Sequence, residues 1–237
     1  MTGTSPGNTA SPRSRFVLRL AWVVLWLLLG IASVEFLMAA YGKYRHLDSA
    51  AYGMFMTRRG WLWMHLAGGL TTVLLGPVQF FTQWRRRQPR LHRLTGRVYL
   101  AGMLVAATGA AGLIATSPAP FAIRLAFSAT ALAWLTTALT GLVAILRGAV
   151  DRHRRWMIRN YAVTLAPIFF RLSLPVAIAS GLAPSPTLIA TLLWCSWIAP
   201  LLVCETVRRL AGRWHPARTR PSAEDAASRR AVEFRAR

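Results

Sequence analysis

Three ionisable residues stand inside long apolar stretches: Glu35 in IASVEFLMAA, His65 in WLWMHLAGGL and Arg171 in FFRLSLP. A carboxylate, an imidazole and a guanidinium at one depth could move a proton, bind a solute or anchor an acidic cofactor. An arginine at the bilayer centre costs at least about 2.5–3.5 kcal/mol on insertion scales, so Arg171 is expected to turn inward and find an anion. Glu35 is the one intramembrane carboxylate at that depth. A structural Glu35–Arg171 pair explains these residues as simply as a proton-coupled pocket, a quinone site or an anchor for haem propionates near His65. Pro175, one turn after Arg171, is expected to free a carbonyl and kink its helix. His46, in an outer loop, is a second candidate ligand there or an ordinary solvent-exposed histidine.

Two His-x-x-x-Gly motifs add to the list, HLAGG from His65 and HRLTG from His92. Glycine four positions after histidine lies beneath it on a helix and leaves room for something flat. The pattern His65, Gly69, Thr72, Gly76 occupies one helix face within about 60°. It reads either as a groove for a haem edge or as a small-residue seam for close helix packing, like Gly102, Ala106 and Ala110. HRLTGRVY from His92 also resembles HRRWMIRNY from His153, as a duplicated helical hairpin would produce. His92 and His153 are thus candidate ligands of one haem. Arg93, Arg97, Arg152, Arg154 and Arg155 would disfavour their protonated form and could pair with propionates. Against this, His92 precedes Val98 by six residues, which puts it roughly 9 Å outside the apolar run. Solvated interfacial histidines are the alternative.

The elements that must hold these residues follow from how charge and apolarity are sorted. The chain has 237 residues, a formal net charge of +22, 54% hydrophobic residues and ten tryptophans; its mean hydropathy is +0.38. A basic excess alone would suggest nucleic acid, but here it is confined to segments flanking apolar runs, so no nucleic-acid partner is expected. Six runs have the length of a membrane crossing: 16–41, 61–84, 98–117, 121–147, 156–181 and 184–207. The expected architecture is an all-α, polytopic transmembrane bundle over 16–207, with a disordered N-terminal tail (1–15) and a basic disordered C-terminal tail (208–237). The first run follows Arg13 and Arg15 as a signal peptide would, but it is too long and is expected to stay as an anchor.

Lysine and arginine divide 23 to five between the two sets of connections, with Arg171 left inside a span. That split places both termini in the cytoplasm, in a cell inner (plasma) membrane. The inner arginines also attract anionic lipid headgroups, at roughly 1 kcal/mol each near the surface. Trp61 and Trp63 mark one interface, Trp84 and Trp156 the other. Cys195 and Cys204 are nine positions apart in the last run, on opposite helix faces, and cannot bridge. No phosphate-binding glycine loop, His-Glu-x-x-His, nucleophile elbow or paired-cysteine motif occurs.

HLAGG, GPVQF, LHRLTGRVYL and HRRWMIRNYA together resemble the bacterial membrane family known as domain of unknown function 2306, over roughly residues 20 to 205. The resemblance implies a multi-pass membrane protein and no particular activity. The helix-borne histidines are also loosely similar to cytochrome b561-type proteins, although His92 and His153 lie at span ends. The leading expectation is a b-type haem protein moving electrons in the membrane. Its candidate ligands are His65, His92 and His153, its candidate propionate partners Arg97 and Arg171, and it would work with a redox partner or as a homo-oligomer. The alternatives are a small-solute or proton-coupled transporter using Glu35, His65 and Arg171, and a non-catalytic membrane subunit. Whether the chain is an enzyme is left open.

Overall fold

The structure, a computed structural model, describes residues 12–45, 52–80 and 88–214. These residues are helical, with no strand among them. The chain divides into two compact units, residues 1–197 and 198–237. The elements are α1 (Pro12–Tyr44), a 3-10 segment (Gly53–Arg58), α2 (Arg59–Phe80), α3 (Pro89–Ala115), α4 (Phe121–Leu146), α5 (Val150–Thr164), α6 (Ala166–Ala179) and α7 (Pro186–Trp214). Six candidate spans result, because α5 and α6 together form one crossing, Val150–Ala179.

Span boundaries differ from the apolar runs where helices carry charge. α3 begins at Pro89 and not at Val98, taking His92 and Arg97 into the helix. Proline suits a first helical turn, since its missing N–H has no acceptor there. The arginines stay tolerable because the turn is amphipathic: Leu91, His92, Thr95 and Gly96 are half-buried and Tyr99 buried, while Arg93 and Arg97 are exposed. In the fifth span the break falls at Leu165, not at Pro175. Pro167 has no N–H to offer Val163, and the Ile168 N–H reaches back only to Leu165, at 3.0 Å. Pro175 sits within an unbroken α6.

Within residues 1–197, α2, α3, α4 and α5 form a four-helix core. Its neighbouring pairs are α2–α3, α3–α4, α4–α5 and α2–α5, which puts α3 and α5 on one diagonal. The α2–α3 seam is built on absent side chains. A Cβ on Gly109 would lie 2.5 Å from the His65 backbone nitrogen and 2.6 Å from the Trp61 carbonyl oxygen, and one on Gly68 would strike Gly102 and Ala106. Backbones therefore touch across three turns, as van der Waals packing in a membrane favours.

α1 covers this core with Trp26, Leu29, Ala32 and Phe36, which pack on Tyr161, Leu165 and Ile168. The first turns of α7 close α4 through Ile123, Ala126, Ala190 and Leu193. Arg58, one of the five basic residues on the sparser side of the charge count, is buried. Its guanidinium lies over the Phe55 ring and donates at 3.4 Å to the carbonyls of Leu113 and Thr116, at the C-terminus of α3. There it satisfies orphan carbonyls and complements the helix dipole. In the second unit, Glu205 pairs with Arg208 and Arg209 one turn on.

Candidate functional site

The centre of the four-helix core is polar. Asn160 and Thr72 are wholly buried and Tyr99 nearly so. The Tyr99 hydroxyl donates to Asn160 Oδ1 at 2.6 Å and lies 2.9 Å from Thr164 Oγ1. Asn160 Nδ2 donates to the Trp134 carbonyl at 2.9 Å and to Thr137 Oγ1 at 3.1 Å, and the Trp134 indole N–H donates to Thr164 Oγ1 at 2.8 Å. Each polar atom of the asparagine is thereby matched, as burial in apolar surroundings requires. Seven consecutive residues, 160–166, are buried, ending at the helix break. Neither Asn160 nor Pro167 was picked out from sequence. The available signal was an amide and a proline seven residues apart inside one apolar span.

Tyr161, the next residue, faces the other way. Its hydroxyl donates to the Val73 carbonyl at 3.3 Å, and its ring packs with Phe80 and Trp26 at centroid separations of 5.4 and 6.3 Å. A Cβ on Gly76 would run into that ring. The groove below His65 is thus filled at its Gly76 end by tyrosine, leaving open space only beside Gly69.

The two copies of the His-Arg…Tyr motif are brought into register by this network. His92 lies seven residues before Tyr99, and His153 seven before Asn160. On the antiparallel α4, Gly141 lies seven after Trp134. Seven residues are two turns, about 10 Å along the axis and within about 20° of the same face. The relation is visible in the bonds: as Asn160 holds the Trp134 carbonyl, His153 Nδ1 holds the Gly141 carbonyl at 2.8 Å. A carbonyl only accepts, so Nδ1 carries the hydrogen and, in the neutral ring, Nε2 keeps its lone pair. His65 is fixed in the same way, Nδ1 to the Ala106 carbonyl at 3.0 Å.

The structure therefore sorts the candidate residues into two levels. His92 and His153 share one, on facing sides of the diagonal helices α3 and α5. His65 is level with Ala106, fourteen residues beyond His92 on α3, or roughly 21 Å away. It cannot share an iron with the other two. Arg171, eighteen residues after His153, is roughly 27 Å along the span and cannot reach a propionate at the His92–His153 level. Arg97 lies at the right end but, five residues after His92, it points about 140° away from that face and is exposed. Among the described residues no group of three or more His, Cys, Asp or Glu converges, and His46 lies outside them.

The Glu35, His65, Arg171 cluster is not gathered. Glu35 is exposed on α1 and Arg171 exposed on α6, and among the described residues no ion pair joins them. The Arg171 guanidinium instead lies over the Phe36 ring, 5.1 Å from its centroid.

The motifs meet each other. Gln79 of GPVQF donates to Thr95 of HRLTGR at 2.5 Å, Thr95 donates to the Leu91 carbonyl at 2.9 Å, and Gly96 faces Gln79. A family model described as "Predicted membrane protein (DUF2306)" matches residues 62–207. The chain belongs to this family. The DUF2306 match starts at Leu62 and not near residue 20, so α1 and Glu35 lie outside it, while the polar network, His65, His92, His153 and Arg171 lie inside. No curated protein and no solved structure matches the chain. The looser likeness to cytochrome b561-type proteins gains no support from these comparisons.

Proposed function

We propose that this DUF2306 protein is a membrane electron carrier, in which His92 of α3 and His153 of α5 would hold the iron of one b-type haem. The supporting observation is the common seven-residue step from the Tyr99–Asn160 hydrogen bond to the two histidines. It sets two imidazoles at one level on helices that oppose each other across a bundle, where cofactor sites of helical bundles are built. The residues fit the group. His153 presents Nε2 because the Gly141 carbonyl holds Nδ1, the arrangement that orients metal-binding imidazoles. Bound there, haem would supply one-electron transfer. The chain's own part would be to fix ring orientation through Gly141, to anchor His92's turn through Thr95 and Gln79, and to supply cations for the propionates from Arg93 and Arg154.

Orientation belongs to the same reading. The arginine-rich ends of α3 and α5 would face the cytoplasm of an inner membrane with both termini inside, against anionic headgroups, so a redox partner would dock there. His65 and Arg171 would then lie in the outer half, apart from the haem.

A reduced-minus-oxidised difference spectrum of the purified protein, expressed with ample haem, tests the reading. Bands of a b-type haem are expected, lost in His92→Ala and His153→Ala and kept in His65→Ala. Their absence from the unsubstituted protein would overturn it. A transport reading draws on a different observation, the break at Leu165 beside the buried network, since discontinuous helices at mid-membrane often mark solute sites. It would be favoured by a silent spectrum together with solute uptake that Asn160→Leu abolishes.

A further inference from the structure

The outer face formed by α1 and α6 carries two opposite charges turned toward lipid. Glu35 is exposed, and its neighbours on that side of α1 are large and apolar: Leu27, Ile31, Val34 and Met38 are each about three-fifths exposed (58–63%). Arg171 is exposed at the same level, placed there by its contact with Phe36, the residue after Glu35. On α6 it stands among Leu172 and Val176, also exposed. A shallow open groove runs along α1 itself, lined by Trp26, Leu27, Gly30, Ile31, Val34 and Glu35. Nothing lies within 4 Å of where a Gly30 side chain would begin.

We infer that this face is the interface of a homodimer, in which Glu35 of each copy pairs with Arg171 of the other. A carboxylate and a guanidinium left facing hydrocarbon are costly, and intramembrane charges are regularly turned toward protein and paired. A second copy inserted in the same orientation brings Arg171 to the depth of Glu35. Around a twofold axis along the membrane normal, the contact is self-complementary and closes with two equivalent ion pairs. The dimer does not depend on haem, since both charges lie in the half of the span away from His92 and His153.

The test is a charge exchange between copies, using the full chain with Cys195→Ser and Cys204→Ser, in vesicles of phosphatidylethanolamine and phosphatidylglycerol. Ile31→Cys reports contact between two α1 helices by oxidative cross-linking. Cross-linked dimer is expected from this background at high dilution in lipid. Adding Glu35→Arg alone, or Arg171→Glu alone, sets like charges against each other and should cut the dimer at least about tenfold. Co-expressing the two variants restores it, because one copy then carries only cations at both positions and the other only carboxylates. An ion pair within one chain predicts no rescue by mixing, and that result would overturn the inference. So would a monomer throughout, including a monomer that carries bound lipid or another protein on this face. If either charge-reversed variant fails to insert, Glu35→Gln and Arg171→Gln take its place. Each should then weaken cross-linking, and unchanged cross-linking in both would count against the interface.

Discussion

Tyr99 and Asn160 meet at 2.6 Å in the middle of the four-helix core, one from each copy of the His-Arg…Tyr motif region. The bond joins diagonal helices, so two hairpins that could otherwise slide are held at one register. Removing the Tyr99 hydroxyl leaves Asn160 Oδ1 buried without its donor, which costs about 1–3 kcal/mol. Tyr99→Phe should lower thermal stability in detergent by that order. Asn160→Leu should lower it further, because it removes at once the acceptor of Tyr99 and the donors to Thr137 Oγ1 and the Trp134 carbonyl. The double variant should lose less than the sum of the two, as coupled partners do. Additive losses would show that the contact contributes nothing of its own.

Much of the architecture was legible because it rests on length and charge. Runs of apolar residues long enough to cross a bilayer gave the number of spans, and each of the six overlaps one helix or, for the fifth, the α5–α6 pair. The site was legible only in part. His92 falls roughly 9 Å outside the apolar run that starts at Val98, yet the helix itself extends back over it, carrying Arg93 and Arg97 on one face while turning Leu91, Thr95 and Tyr99 to another. The seam beside His65 was open to two readings, since glycine spacing is the same for a groove and for a close contact. Only the position of the Tyr161 ring decides between them at Gly76. The expected Glu35–Arg171 pair failed for a related reason: equal depth does not fix azimuth, and the two residues project from a shared surface instead of into a core.

The α2–α3 seam separates two adjacent glycines cleanly. A methyl group at Gly68 would meet the α3 backbone, while at Gly69 it would meet open space. Gly68→Ala should destabilise by about 1–3 kcal/mol, the usual range for overpacking a tight contact. Gly69→Ala should be neutral or slightly stabilising, because alanine favours the helix by about 1 kcal/mol over glycine. Thermal unfolding of the two variants side by side checks this, and equal losses would mean the seam is not where the backbone places it.

The proposed orientation makes opposite ends of the bundle chemically distinguishable. Arg59 and Arg154 are both exposed, each in the first turns of its span, and because α2 and α5 run in opposite directions they lie at opposite ends of the bundle. In a background with Cys195→Ser and Cys204→Ser, Arg59→Cys should react with a membrane-impermeant thiol reagent applied to the periplasmic side of intact inner membranes. Arg154→Cys should react only after the membrane is opened. Reversed labelling would invert the topology and move the histidine level to the outside.

Arg58 gives the sharpest contrast between charge as a topology signal and charge as a structural part. Its side chain is 7% exposed, held over Phe55 and aimed at the carbonyls of Leu113 and Thr116. Those carbonyls sit at the end of α3, beyond the last intrahelical N–H, so without the guanidinium they depend on water or lipid headgroups. Arg58→Met keeps much of the buried stem but removes the donors and the charge, and should cost about 1–2 kcal/mol. Arg58→Lys keeps the charge and one point donor in place of a planar fork, and should recover about half of that. Hydrogen exchange at the last turn of α3 localises the effect: faster exchange there in Arg58→Met, with the Tyr99 turn unchanged, is the expected pattern. Uniform acceleration along α3 would instead make Arg58 a determinant of the whole α2–α3 hairpin.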